Sequence, residues 1–389
     1  MQIHWMPHAL NPAYAGVRLR CLMPSRELRR SGLVSRVLDP ASDAQPLPGD
    51  GVLVVQAKWL LDAGSPAALR ERTRRLAQAR DRGVRLVLDS FDNYFLNESG
   101  DPARAGLLIA YREALPLFAL FTVSSPGLKP LLEAELPPEL RAAAPVRVVG
   151  DPVETPAAAR DFESWPHRMH PGRWAGQWRA WRELREHRAQ RRVARQLVWF
   201  GNHGSAYATG GMAELEPLLP LLEAAARRQP LRLTVISNSE QRYRELLGRA
   251  AFPHRYRPWD RLHFLSLLGE QDLVLLPARM TAFTMAKSNN RMLLALAQGV
   301  PVMADPLPDY QPWRAHCALD DWDRLAEHIA DPAPLAARAR AAMPVIERDY
   351  STRAIAAQWR EALLAPDSPV DSPVASQADS QVVSQAVSR

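Results

Sequence analysis

The stretch Ala286–Tyr310, AKSNNRMLLALAQGVPVMADPLPDY, carries the densest potential chemistry in the chain. A polar loop, Lys287-Ser288-Asn289-Asn290-Arg291, runs into an apolar segment that Gly299 ends, and VPVMA follows at once. That order predicts an amphipathic helix over Arg291–Gln298 and then a strand. A helix start exposes unpaired N–H groups and the positive end of the backbone dipole, so a phosphate sits well there. Lys287 and Arg291 would add positive charge, and Ser288, Asn289 and Asn290 would add donors. A capped helix with a solvated polar start is the plainer account of the same residues.

A second candidate follows the apolar run LVWFG: Gly201-Asn202-His203-Gly204-Ser205, with Gly210-Gly211 further on. Two glycines let a ligand approach the backbone closely. The turn matches neither GxGxxG nor a P-loop, and a flexible loop is the alternative. Ser237 and Asn238 end another run, LRLTVIS. Trp259 follows a third and could stack on a nucleobase or pack a loop. In the first half, Asp89-Ser90-Phe91-Asp92-Asn93-Tyr94 follows VRLVL. Asp92 could serve as a base, with Asp89 and Asn93 on acceptor hydroxyls. Turn chemistry alone would also favour Asp and Asn there. Lys58 follows GVLVVQA, and Arg18 opens an early helix, where it could meet an anionic acceptor or a diphosphate. No nucleophile-elbow motif and no metal-ligand spacing is visible, so no metal or cofactor is expected.

These groups need elements to hold them at strand ends. Short apolar runs recur at 51–56, 84–89, 119–124 and 146–150, then at 197–201, 231–237, 272–277 and 300–304, with helix-period segments between. Alternation of this kind implies parallel sheets covered by helices on both faces. Ligands of such sheets bind beyond the strands' carboxyl ends. The runs fall into two sets. We therefore expect an α/β chain of two Rossmann-like, doubly wound domains facing a cleft: residues 1–165 and residues 197–350. A basic Trp/Arg connector, 166–196, joins them, and a last helix at 351–364 is capped by Ser351. A serine-punctuated tail, 366–389, has little to bury and is expected to be disordered.

Composition sets the outer bounds. The chain has 389 residues, 47% hydrophobic and 23% charged, which excludes wholesale disorder. Two cysteines, Cys21 and Cys317, are too few for a disulfide framework. With no basic and apolar leader, a soluble cytoplasmic protein is expected. The net charge of +7 equals the surplus of residues 165–196, which hold nine arginines and two glutamates. Trp174, Trp178, Trp181 and Leu184 form one helical stripe in this segment, expected to pack on the body of the protein. A peripheral contact of 173–195 with the inner face of a membrane is the alternative. Nucleic acid is disfavoured, because no recognition motif accompanies the arginines.

The ordered set Gly201–Ser205, Ser237-Asn238, Trp259, DLVLLP at 272–277 and Lys287–Tyr310, with Gly299-Val300-Pro301-Val302, resembles the nucleotide-sugar domain of GT-B glycosyltransferases. It is most similar to glycosyltransferase family 4, bacterial polysaccharide type. GVRLRCLMPSRELRRSG and DSFDNYF look like the N-terminal halves of bacterial members. The resemblance covers about 1–364 and implies that 1–165 is the acceptor domain, that 197–350 is the nucleotide-sugar domain, and that the helix at 351–364 crosses back to the first domain. It implies metal-independent transfer of a sugar from a nucleotide-sugar to a carbohydrate or lipid-linked acceptor. Gly201, Asn202, His203, Gly204, Ser237, Asn238, Trp259, Ser288, Asn289 and Asn290 would hold the donor; Arg18, Lys58, Asp89 and Asn93 the acceptor; Asp92, Lys287 and Arg291 would act in catalysis. One departure stands out: the family usually has two glutamates, eight positions apart, where this chain has Ala286 and Leu294. A non-catalytic nucleotide-sugar binder and a 2-epimerase on the same fold are the alternative functions.

Overall fold

The computed structural model describes residues 2–41, 46–155, 171–261 and 263–365; within 171–183, side chains are included for Trp178, Trp181 and Arg182. The tail at 366–389 and the boundary expected near 165 lie outside the described residues.

Two six-stranded, all-parallel sheets carry the fold. The first runs β2(Val34–Val37)-β1(Gln2–Met6)-β3(Val52–Gln56)-β4(Arg85–Ser90)-β5(Leu120–Val123)-β6(Val146–Val148). The second runs β12(Ala318–Leu319)-β11(Val302–Ala304)-β10(Leu273–Leu276)-β7(Arg195–Phe200)-β8(Leu231–Ser237)-β9(His254–Pro258). The central strands read as unbroken apolar runs because helices cover both faces; β3 and β10 are buried at every residue. The strand order reverses between β1 and β3 in the first sheet and between β7 and β10 in the second. Open parallel sheets bind ligands at such switch points. The sequence runs had already marked Gly201 after β7 and Pro277 after β10.

The helix Thr352–Leu364 returns to the first sheet. Ser351 caps it by accepting a hydrogen bond from Ala354 N. Ile355, Trp359 and Leu363 are buried, and the Trp359 ring meets Trp5 of β1 edge-on at 5.0 Å. Arg85 of β4 donates to the Leu363 carbonyl at 2.8 Å. The last helix thereby ties the chain's end to its first domain.

Two expectations are corrected. The helix after the Lys287 loop spans Asn290–Leu296, and Met292 to Leu296 are all buried. It is enclosed rather than amphipathic, because it packs against both the second sheet's core and the helix Ala333–Tyr350. Leu294 belongs to that core, and Ala286 to the first domain's, so the two positions where glutamates were missed hold packing residues. The second correction concerns the helix Pro171–Arg191. Trp178 and Trp181 are 60% and 53% exposed, so they do not pack on the body. The Trp174 side chain lies outside the described residues.

Candidate active site

At the end of β7 the chain makes the predicted turn. Ser237 Oγ donates to the Gly201 carbonyl at 2.8 Å, and Asn238 Oδ1 accepts from His203 N at 2.9 Å. The loop then folds back so that Met212 N reaches the His203 carbonyl. Gly211 lies at φ +81, and a Cβ there would stand 2.7 Å from Asn202 O, so only glycine fits. Ser237 and Asn238 therefore build the turn, and the Asn238 amide nitrogen is the part left to face a ligand. Arg291 Nη1 lies 3.3 Å from the Phe200 carbonyl. It would be 3.0 Å from a Cβ on Gly201, so the guanidinium lies against the bare glycine. A cleft of about 790 Å³ borders this loop, lined by His203 and Gly204, by Glu98 of the first domain and by Arg242.

Across the domains, Lys287 Nζ makes two hydrogen bonds of 2.8 Å to the Asp92 carboxylate. The ammonium also lies 3.6 Å from the Phe283 ring centre. Tyr207 of the glycine loop donates to Asp92 Oδ2 at 3.3 Å. Burial pulls the Lys287 pKa below the ordinary lysine value, Asp92 pushes it back up, and Arg291 adds to the lowering. Asp92, Tyr207 and the Lys287–Arg291 segment thus come from three parts of the chain to one region between the two sheets' carboxyl ends.

The loop bearing Lys287 is held to the first domain at three further places. Asn93 Nδ2 donates to Ala282 O at 3.2 Å, and Ser125 Oγ to Ala286 O at 2.7 Å. Ser288 Oγ donates to Asp151 Oδ2 at 2.7 Å. Asn289 is buried, its N–H on Asp309 Oδ2 at 2.6 Å and its amide on the Tyr350 hydroxyl. Asn290 Nδ2 is buried without a hydrogen-bond partner, which leaves a donor to spare beside the loop. Desolvation raises Asp309 to about 7, with Asp151 adding to the rise.

Several expected acceptor contacts are engaged elsewhere. Asp89 is fully buried on Arg20 at 2.6 Å and accepts from Thr122 Oγ1, so it stays inside the first domain. Arg18 is buried in a two-point pair with Glu154, at 2.5 and 2.7 Å. Its guanidinium also lies 5.4 Å over the Trp259 ring, which leaves one Trp259 face covered. Lys58 pairs with Asp62 one helical turn on, at an exposed position. Asn93 serves the domain junction described above.

Other residues at the site were not singled out from sequence. His8, just after β1, donates through Nδ1 to Gln56 Oε1 at 2.8 Å, and Gln56 Nε2 donates to Gly16 O. This places a polar pair at the first sheet's switch point and leaves His8 Nε2 as an acceptor. Desolvation lowers the His8 pKa, so the ring is neutral near pH 7. The run QIHWM was the missing signal: read as a strand, it would have marked the residues after Met6. Glu214 is buried beside the glycine loop, accepts from Arg279 N at 2.6 Å and is raised by desolvation. It lies inside the 3₁₀ segment Gly211–Leu218.

No family model and no curated protein sequence matches the chain. Solved structures do match in fold. A structure of Anabaena Alr3699/HepE in complex with UDP superposes with a TM-score of 0.59 at 13% identity, over 93% of this chain and 99% of that one. A second structure of the same protein holds UDP and glucose, with a TM-score of 0.58 at 14% identity over the same shares. A UDP-forming α,α-trehalose-phosphate synthase from Burkholderia xenovorans matches with a TM-score of 0.53 at 13% identity, over 82% of this chain and 74% of that one. Together with the two parallel sheets and their facing carboxyl ends, these likenesses assign the chain the GT-B fold.

Proposed function

We propose that this chain is a glycosyltransferase that moves a sugar from a nucleotide-sugar to a carbohydrate or lipid-linked acceptor without a metal, as in glycosyltransferase family 4. One observation carries the reading. Lys287 and Asp92 meet across the domain junction, with Arg291 on the glycine turn beside the second switch point. The UDP held by the Anabaena structure supports a nucleoside diphosphate as the ligand.

The chemistry suits these groups. As the sugar leaves, the anomeric carbon becomes oxocarbenium-like and the diphosphate gains negative charge. Fixed N–H groups and cations can absorb that charge at little reorganisation cost. Lys287 and Arg291 take this part, with Asn290 Nδ2 as a further donor; the N–H groups of Gly201, His203 and Gly204 and the Ser288 hydroxyl already hold acceptors inside the protein. Lys287 has to exchange Asp92 for phosphate. The exchange leaves Asp92 with the Tyr207 hydroxyl and the Asn93 N–H but no cation, so it becomes a stronger base for the acceptor hydroxyl just when the donor is in place. An inverting reaction uses such a base; a retaining front-face reaction does not. His8 Nε2 is a second acceptor of that proton on the first domain's side. Asn238 and the open face of Trp259 bear on ribose and base.

The burial of Leu294 and Ala286 keeps the non-catalytic reading in view, because no carboxylate stands at those positions. Incubation with UDP-, GDP- and dTDP-sugars, with and without glycan acceptors, separates the readings. Transfer to an added acceptor supports the proposal. Binding with no turnover supports the non-catalytic homologue, and an epimerised donor in the absence of acceptor supports the epimerase.

A further inference from the structure

The helix Pro171–Arg191 has two unlike sides. Its C-terminal half is fastened to the second domain. His187 is buried, with Arg255 Nη2 donating to its Nδ1 at 2.6 Å and its Nε2 facing the Glu270 carbonyl at 3.3 Å. Burial and Arg255 lower this imidazole to about 4, so it is neutral and acts as a fixed polar peg. Arg188 pairs with Glu270 at 2.6 Å and Arg191 with Asp272 at 2.8 Å. At 100° per residue, Trp178, Trp181, Arg182 and Arg185 lie on the side opposite His187 and Arg191. All four are exposed. Arg182 stacks over Trp178 at 5.6 Å and Arg185 over Trp181 at 5.2 Å. Arg192 continues the charge, and Val193, 72% exposed, continues the apolar surface. Among the described residues, Trp178 and Trp181 are the exposed tryptophans.

We propose that this outer face docks on an anionic lipid bilayer. Exposed indoles cost free energy in water and are at home at the headgroup level, where their rings bury and their N–H groups stay wet. The guanidiniums beside them match lipid phosphates. Charge complementarity selects the occupant: with Arg188 and Arg191 taken by Glu270 and Asp272, the exposed Arg182, Arg185 and Arg192 stand beside the indoles, against Glu186 at 3.7 Å from Arg182 among the described side chains. Indoles interleaved with guanidiniums on one short face suit the headgroup level of a bilayer; a nucleic-acid surface would call for a continuous cationic track. No described helix is long and apolar enough to span a membrane, so this contact is at the surface. The helix leads almost directly into β7, and about 20 Å of helix separates Trp178 from Arg191 at the strand's amino end. The indoles are therefore displaced along the helix away from that end. The inference stands whether or not the chain transfers sugars.

Flotation of the full chain with vesicles tests it. The vesicles are phosphatidylcholine alone, or phosphatidylcholine mixed with phosphatidylglycerol. The wild type should float with the mixed vesicles, stay behind with the neutral ones, and release as salt rises. Trp178→Ser/Trp181→Ser and Arg182→Gln/Arg185→Gln should each weaken partition by about tenfold or more. Both should keep the wild-type thermal midpoint and nucleotide affinity. A wild type that ignores anionic vesicles overturns the proposal, as does a Trp double variant that floats normally. Loss of a dimer or of DNA binding in the variants, with no lipid partition by the wild type, assigns the face to another occupant and overturns it too.

Discussion

Among single residues, one carboxylate and one ammonium decide most of the account. Lys287 and Asp92 neutralise each other across the domain junction, and each has a partner in the reaction that the other blocks. Asp92→Asn should keep or tighten nucleotide affinity, since Lys287 no longer gives up a carboxylate, and lower transfer by about 100-fold or more, the usual range for loss of a general base. Transfer at the wild-type rate would remove Asp92 from that role and turn attention to His8. Arg18 belongs to a different argument. Its pair with Glu154 is buried, so Arg18→Ala strands a carboxylate and should cost about 3–5 kcal/mol in urea unfolding. An unchanged stability with weakened acceptor affinity would restore Arg18 to the acceptor side.

Elements explain both what the sequence disclosed and what it concealed. Long apolar strands such as β3, β8 and β10 are buried on both faces, so their composition announced them and marked the turns after them. Gly201, Lys287 and Arg291 were legible for that reason. β1 carries His4 and Trp5, and β12 has two residues, so neither stood out and His8 was passed over. Arg18 and Asp89 have the right types at strand or helix ends. Only packing between elements shows them paired with Glu154 and Arg20. The tryptophan stripe was periodic, but periodicity does not say whether a face has a neighbour. The loop before Asn290–Leu296 yields a pH prediction. Asp309 holds a proton to about 7 when folded, against 3.8 ordinarily. The folded chain therefore binds more protons between those values, and this contribution to stability is present below about 4 and lost as pH rises towards 7. Asp309→Asn should accordingly gain stability over the wild type at pH 8 relative to pH 5, by up to a few kcal/mol at about 1.4 kcal/mol per pKa unit. Parallel thermal or urea profiles at the two pH values would contradict the assignment.

At the scale of the whole molecule, the described residues join the two sheets at a strap and across a broad junction. The strap is the terminal helix, anchored by Trp359 against Trp5, while the junction includes the contacts from Asn93, Asp92, Ser125 and Asp151 to residues 282–288 and from Glu98 to Tyr207 and Thr209. A donor that enters must take Lys287 from Asp92 at this junction. Calorimetric titration of UDP, GDP and dTDP into wild type and Lys287→Ala is the most direct measurement. The account predicts that at least one diphosphate binds the wild type, and that the variant, still folded by circular dichroism, binds it about 5- to 150-fold more weakly, or roughly 1–3 kcal/mol. Equal affinity in a folded variant would contradict it, as would no binding of any of the three to the wild type.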